Sequence, residues 1–564
     1  MKINIKKIGL LLGLGALALC QSCVDLEPEI YDKIDAEEFN QDPAVFESKL
    51  GDVYVNLQRE YGYVYREGFW SLQENTTDEC FVPTRYGGDW YDGAAFWKLR
   101  KHEFTSKLRE ISQNGQNGNN AWQFLSRGIA KCNDMLAWMN SVGEDKFHES
   151  EYAELYILRA WYHYLLMDSF GNVPYMTKVG DASPVQLPRA AVCDSIMKDL
   201  LKYVPVASEK KVYSRVNKFV GYMVLAKMYL NAEAWGVAQT AESFKDVDCY
   251  KEAAKYADLV IAEGGYSLEK NYFDNFKVDN QGSKENIWCV FYDKSYSKGM
   301  QFHMMSFHYS SKEDFGLKNQ PWNGYCGSHK IIGLYGKGDK RIDSWARGQM
   351  KGSVELALDT TLYSTMPEFV RLPENYPSYE EVKAAQEAGT SISVIMPCYF
   401  TDTLTTFEND DNIYNIFEGP RFKKFAVENG VGDHMSNDFP IFRLADAYLM
   451  KAEALLRTGD KTGAIEAANV VRARAGAEAY TDLTLDELCN ERCRELLWEG
   501  HRRQDLIRFD RFTGENSYAK DGDIANLWVF RTVADMSPAH KKIFPLPDFI
   551  IDNYAYPQNE GYVE

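Results

Sequence analysis

Residues 441–476 read IFRLADAYLMKAEALLRTGDKTGAIEAANVVRARAG. Apolar residues recur at helical spacing on both sides of Thr458-Gly459-Asp460, so the stretch predicts two helices joined by a tight turn. Ala452, Ala454, Ala464 and Ala468 carry too little bulk to hold those helices apart, which permits a close approach. The pattern recurs upstream. Residues 151–170, EYAELYILRAWYHYLLMDSF, set Leu155, Leu158, Tyr162 and Leu165 at helical spacing, and Gly171 and Pro174 stop the helix. Residues 218–235 repeat the arrangement with Ala226 and Ala232, and residues 250–263 with Ala253, Ala254, Ala257 and Ile261.

Alanine-rich antiparallel pairs with such turns resemble tetratricopeptide units, whose repeat is about 34 residues. Here the units are dispersed, because long stretches rich in Gly, Asn and aromatic residues intervene at 83–120 and 295–440. Those stretches predict excursions from a rigid helical frame, where binding groups usually sit. Ser283 to Tyr292 predicts a short strand, and little other strand signal is strong. The expected class is mainly α, built of helix pairs with long irregular excursions and little β.

The chain has 564 residues, 45% hydrophobic and 26% charged with 18 prolines, which suits a large globular core and excludes disordered and fibrous classes. Its net charge of −19 opposes a nucleic-acid partner, since that affinity comes mainly from Lys and Arg displacing counterions. Aromatic residues reach 14%, with 36 Tyr and 12 Trp, more than a core strictly needs.

Lys2, Lys6 and Lys7 precede an apolar run from Ile8 to Cys20, too short to span a bilayer but right for a signal peptide. Ser22 stands just before Cys23, as at a bacterial lipoprotein processing site, although Cys20 replaces the usual aliphatic residue. Residues 1–22 are the expected leader, Cys23 the lipidated first residue, and residues 23–45 an acidic tether to the membrane lipid. Cleavage removes three lysines and no acid, taking the net charge to −22. Nine cysteines remain, an odd number without close pairing, and buried thiols are expected. Cys489 and Cys493 share a helix but have no histidine nearby to complete a zinc set.

Several dispersed motifs together resemble the SusD/RagB family of outer-membrane nutrient-binding lipoproteins. Leu158-Arg159-Ala160-Trp161-Tyr162 with Phe170-Gly171-Asn172-Val173-Pro174 is similar to one signature, and Pro440 to Ala454 to another. Asn469 to Gly476, the acid–arginine series from Glu491 to Arg508, and the endings Phe544-Pro545-Leu546-Pro547 and Gln558-Asn559-Glu560-Gly561-Tyr562 follow in family order. Leu546 and Glu560 depart from the usual Ile and Pro. The resemblance implies a SusD-like fold, with residues 46–280 and 281–564 as its two regions. It further implies surface exposure on the outer membrane, a SusC-like TonB-dependent β-barrel as partner, and ligand binding without catalysis or cofactor. Arg472, Arg474, Glu491, Glu495 and Arg502, as alternating charges on helices, are expected to form structural ion pairs.

A sugar ring offers a face of C–H bonds and an edge of hydroxyls, so a glycan site needs flat aromatic platforms beside hydrogen-bonding groups. Arg85-Tyr86-Gly87-Gly88-Asp89-Trp90 supplies both, with Arg85 and Asp89 expected to bond hydroxyls around a Trp90 platform. Tyr309, Trp322 and Tyr325 form a second candidate cluster. Phe96 and Trp97 flank an apolar stretch and are expected to pack inward. Asp410 and Asp411 offer oxygens to calcium, but their loop lacks the spacing of a calcium motif and reads as a solvated acidic turn.

The expected function is capture of oligosaccharides or polysaccharide fragments and their delivery to the barrel. A peptide-binding uptake lipoprotein of the same family is the alternative. A surface glycoside hydrolase would need only two carboxylates among 82 acids, but the chain has no H-E-x-x-H, G-x-S-x-G or phosphate-binding loop. A protein-only scaffold would have no reason to cluster Trp with Arg and Asp on glycine-rich excursions.

Overall fold

The computed structural model of the chain describes residues 41–112, 120–180, 184–365, 376–404, 413–518, 527–528 and 531–562. Cys23, the leader, and Asp410 and Asp411 lie outside these residues. About 49% of the described residues are helical and 9% are strand.

The frame is a file of helices in which the first eight pack in succession and the ninth packs back on the seventh. They are α1 (Phe46–Gln58), α2 (Ala121–Val142), α3 (Glu149–Phe170), α4 (Arg189–Tyr203), α5 (Lys218–Asn231), α6 (Cys249–Glu263), α7 (Leu444–Arg457), α8 (Lys461–Ala475) and α9 (Leu485–Leu496). Several of their starts are capped by side chains. Asn217 accepts from the Phe219 and Val220 amides, Asp248 from Lys251 and Asp460 from Gly463. The periodic helix α3 is the axis of the frame, buried on nearly every side chain from Ala153 onward, and ends at Gly171 with φ 74°. Glycine takes that angle without a Cβ penalty. Between α7 and α8, Ala452, Ala464 and Ala468 are fully buried with Val471, as their small size foretold.

Helix α6 packs on α7 as a consecutive neighbour, although residues 264–443 lie between them in sequence. That segment is therefore an insertion into the helix file. Strand β1 (Asn286–Val290), within the expected strand, pairs antiparallel with β4 (Phe439–Arg443) and closes the neck of the insertion. A shorter excursion, residues 59–120, separates α1 from α2.

The insertion also holds a β-ribbon that sequence reading missed, β2 (Gly348–Leu358) against β3 (Ile392–Phe400), antiparallel from Gly348↔Phe400 to Leu358↔Ile392. One face is the more covered, with Leu356, Leu358, Met396, Cys398 and Phe400 buried, but Gly348 and Gly352 interrupt that apolar face in sequence.

One hydrophobic core runs from Phe46 to Tyr556 across both halves of the chain. Beside it lies a dense ion-pair network. Arg443, at the end of β4, pairs with Glu285, Glu495 and Glu499, and Arg341 pairs with Asp339, Glu491 and Glu495. Arg474 pairs with Glu285 and Glu495, Arg472 with Glu491, and Arg502 with Asp78. These are the structural ion pairs expected of the motif residues, and they bind the insertion to α8 and α9. Two motifs also meet directly, as the Asn559 amide donates to the Phe170 and Phe544 carbonyls at 2.8 Å each. All nine described cysteines are buried and unbridged. Among the described residues, no helix is long and apolar enough to cross a membrane.

Candidate functional site

Three segments far apart in sequence converge at the surface: residues 81–94 of the first excursion, and 302–327 and 413–422 of the insertion. Arg85 joins them. Its guanidinium donates to the carbonyls of Asn323 (3.0 Å), Gly324 (3.0 Å), Glu418 (2.9 Å) and Asn415. Beside it, Arg421 donates to Gly419 (2.8 Å), Ile416 (2.9 Å) and the Asn323 side chain (2.8 Å). Burial, with Arg85 adjacent, pushes Arg421 down to about 9. The expectation that Arg85 meets ligand hydroxyls is corrected. Its side chain is wholly buried and its donors are spent on the backbone of the two facing segments.

Held at its base by Arg85, the loop runs through left-handed backbone at Gly87, Gly88, Trp90 (φ 64°), Asp92 (φ 46°), Gly93 and Ala94 (φ 64°). The three non-glycine residues cost of order 1–3 kcal/mol each, a local strain of the kind that gathers at binding sites. Its result is the position of Trp90. The indole N–H donates to the Trp322 carbonyl at 2.7 Å, so the two leading candidate rings, 232 residues apart, stand together.

Trp90, Trp322, Arg66, Glu67 and Asp92 line an open cleft of about 260 Å³. This lies below the usual range for an enclosed small-molecule pocket, so the cleft grips part of a chain rather than enclosing a molecule. Both rings are half-buried. The Arg66 guanidinium lies 5.1 Å from the Trp322 ring centre. Glu67 accepts from the Tyr65 hydroxyl at 2.9 Å and is 3.6 Å from Arg109, which is 3.7 Å from Asp92. Asp92 is the more exposed carboxylate and Glu67 is nearly covered, which leaves Asp92 and Arg66 as the reachable polar groups. Tyr86 (46% exposed) and Tyr91 (51% exposed) extend the aromatic surface along the same loop.

Tyr325 is also corrected. It is fully buried, donates to the Arg66 carbonyl at 3.2 Å and meets Trp90 edge-on at 5.5 Å, so it supports the platform from beneath. Tyr309 does not line the cleft. It is half-buried against His308, and burial followed by the nearby Asp89 carboxylate raises its hydroxyl. Asp89 is exposed and likewise does not line the cleft. Phe96 is buried, and Trp97 packs beside Phe81, Cys326 and Leu404, both inward as expected. Arg66, Glu67 and Arg109 were missed. Nothing in their immediate sequence, which is aromatic-rich from Tyr61 to Tyr65, separates them from core neighbours. Among the described residues no group of His, Cys, Asp or Glu is arranged to hold a metal ion.

A file of helix pairs with ring-bearing loops on its excursions defines a class of helical scaffold also seen in solved structures. Surface glycan-binding protein A from Bacteroides uniformis superposes with a TM-score of 0.64 at 18% identity, covering 92% of this chain and 99% of that one. Surface glycan-binding protein A from Bacteroides thetaiotaomicron, in complex with laminarihexaose, gives 0.62 at 17% identity over 92% and 99%. At these identities the likeness is one of fold. A family model described as SusD family matches residues 284–562, and one described as starch-binding associating with outer membrane matches residues 30–230. The chain belongs to the SusD family. The starch-binding protein SusD of Bacteroides thetaiotaomicron is 25% identical over 529 residues, 88% of this chain and 86% of that protein.

Proposed function

We propose that the protein is a cell-surface lipoprotein that captures oligosaccharides or polysaccharide fragments and passes them, without catalysis, to a SusC-like TonB-dependent barrel. Acyl chains on Cys23 hold it in the outer membrane, residues 23–45 are its tether, and the regions 46–280 and 281–564 act together as one binder. A single observation carries the reading. Trp90 and Trp322, drawn from different excursions, are fixed together over a cleft edged by Arg66 and Asp92. Flat rings beside reachable hydrogen-bonding groups suit the C–H faces and hydroxyl edges of sugars. Family membership and the relatives named for starch and laminarihexaose support the same cargo. Two or three stacking contacts at about 0.5–1.5 kcal/mol each give millimolar to micromolar affinity, which suits a carrier that must release its cargo.

The test is a glycan array and affinity gels with the protein truncated before Asp25. Wild type is expected to be retained by at least one neutral polysaccharide, with retention lost in Trp90→Ala and Trp322→Ala at unchanged thermal stability. Unaltered retention in both variants, or release of reducing ends by the purified protein, overturns the reading.

A further inference from the structure

An open groove of about 870 Å³ on the insertion lies apart from the Trp90–Trp322 cleft. Phe273 and Phe315 contribute half-buried rings to it. One face of Phe315 is covered by the buried Phe307 ring, parallel to within 8° at 3.7 Å, so the opposite face is the one left for a ligand. Around the rings stand the exposed side chains of Glu313, Asp343 and Lys423, none of which has an ion-pair or hydrogen-bond partner among the described residues, together with Asn429. Lys424, behind the groove, is paired with Glu499. Free carboxylates, an ammonium and an amide around a one-sided aromatic platform match the hydroxyls and C–H face of a sugar. Two acids against one lysine disfavour a polyanionic chain.

We infer that this groove is a second contact site for a neutral glycan, engaged by a further stretch of the same polymer; the inference rests on reading the Trp90–Trp322 cleft as a glycan site. The two sites share a wall. The Trp322 amide donates to the Met304 carbonyl at 2.7 Å and the Asn323 amide to the Phe307 carbonyl at 2.8 Å, so the segment bearing Trp322 is bonded to the one bearing Phe307. A polymer reaching both sites gains avidity that a short oligosaccharide does not.

Affinity gels with laminarin, starch, xylan and mannan, and calorimetry with the matching hexasaccharides, test this on Phe273→Ala/Phe315→Ala, on the surface variant Lys423→Glu and on Trp90→Ala/Trp322→Ala. Both groove variants are expected to weaken polymer binding at least about fivefold while hexasaccharide affinity stays within about twofold of wild type. Lys423→Glu keeps the test valid if the double Phe variant fails to fold. Polymer affinity unchanged in the groove variants overturns the second site alone. Hexasaccharide binding that survives in Trp90→Ala/Trp322→Ala overturns the cleft, and retention of wild type by none of the four polymers overturns both.

Discussion

Gly324 lies flat against the Trp90 indole, so close that a Cβ at Gly324 would come within 2.3 Å of the ring atom Cε2. The Gly324 carbonyl is also an acceptor for Arg85, so the residue can move away from neither side. Gly324→Ala is expected to push Trp90 off the Trp322 carbonyl, cost about 1–3 kcal/mol as an overpacking change, and weaken glycan retention about tenfold. Thermal melting and affinity gels of the same preparation check both effects. Normal retention would show that the seat of Trp90 is not fixed by Gly324.

Arg85→Ala should act on stability and not selectively on ligand. Removing the guanidinium leaves the buried Asn323 and Gly324 carbonyls without a donor and takes one of two donors from those of Asn415 and Glu418, for a loss of about 3 kcal/mol or more. Arg85→Lys is expected to recover little, since one ammonium cannot reproduce a planar fork aimed at two segments. Urea denaturation measures the loss. A variant with native stability and no binding would restore Arg85 to the ligand site.

Arg443→Met removes the cation shared by Glu285, Glu495 and Glu499. Breaking a buried network from one side costs about 3–5 kcal/mol, here by taking the shared cation from three carboxylates that keep only Arg474, Arg341 and Lys424. The expected outcome is a lowered urea midpoint or insoluble protein, and a change under about 1 kcal/mol would contradict the structural role given to this motif residue.

Glu74 and Glu79 are buried, Glu74 accepting from the Gly500 amide (2.6 Å) and Glu79 from the Trp498 amide (2.8 Å). Burial, then the neighbouring Glu79 charge, raises Glu74 well above the usual carboxylate range, and burial lifts Glu79 to about 7 against the pull of Arg502. Carboxyls raised in the folded state contribute stability that is fully present below their unfolded value, near 4.5, and lost as pH rises through 7. Glu79→Gln should therefore flatten the fall in stability between about pH 5 and 8 relative to wild type. Parallel melting curves across that range would refute the raised Glu79 carboxyl.

The helix file was legible in the sequence because period and punctuation agree. Leu155, Leu158 and Tyr162 mark one helix that Gly171 ends, and the alanines of residues 441–476 mark a pair. The ribbon was not legible, for Gly348 to Leu358 contains two glycines and two charges and finds its partner across 33 intervening residues. Of the site, the rings Trp90 and Trp322 could be singled out because an indole in a glycine-rich excursion is conspicuous. The fate of Arg85 could not, since its partners are backbone carbonyls whose approach depends on three segments folding together. Tyr325 was lost for the same reason, as nothing local tells a ring that supports a platform from one that forms it.

The insertion leaves the helix file after α6 and re-enters it at α7 through one pair of strands, with Asn286 opposite Arg443 at the threshold. Loop-closure entropy rises by only about 0.6 kcal/mol for each doubling of length, so what lies beyond that threshold can grow or shrink at small cost. The arrangement is that of a socket and a plug. A replacement that keeps the strand register, the Glu285–Arg443 contact and the pairing of Arg341 with Glu491 and Glu495 could bring a different set of rings to the surface, making the excursion a unit of exchange for cargo preference while the helices beneath keep their sequence.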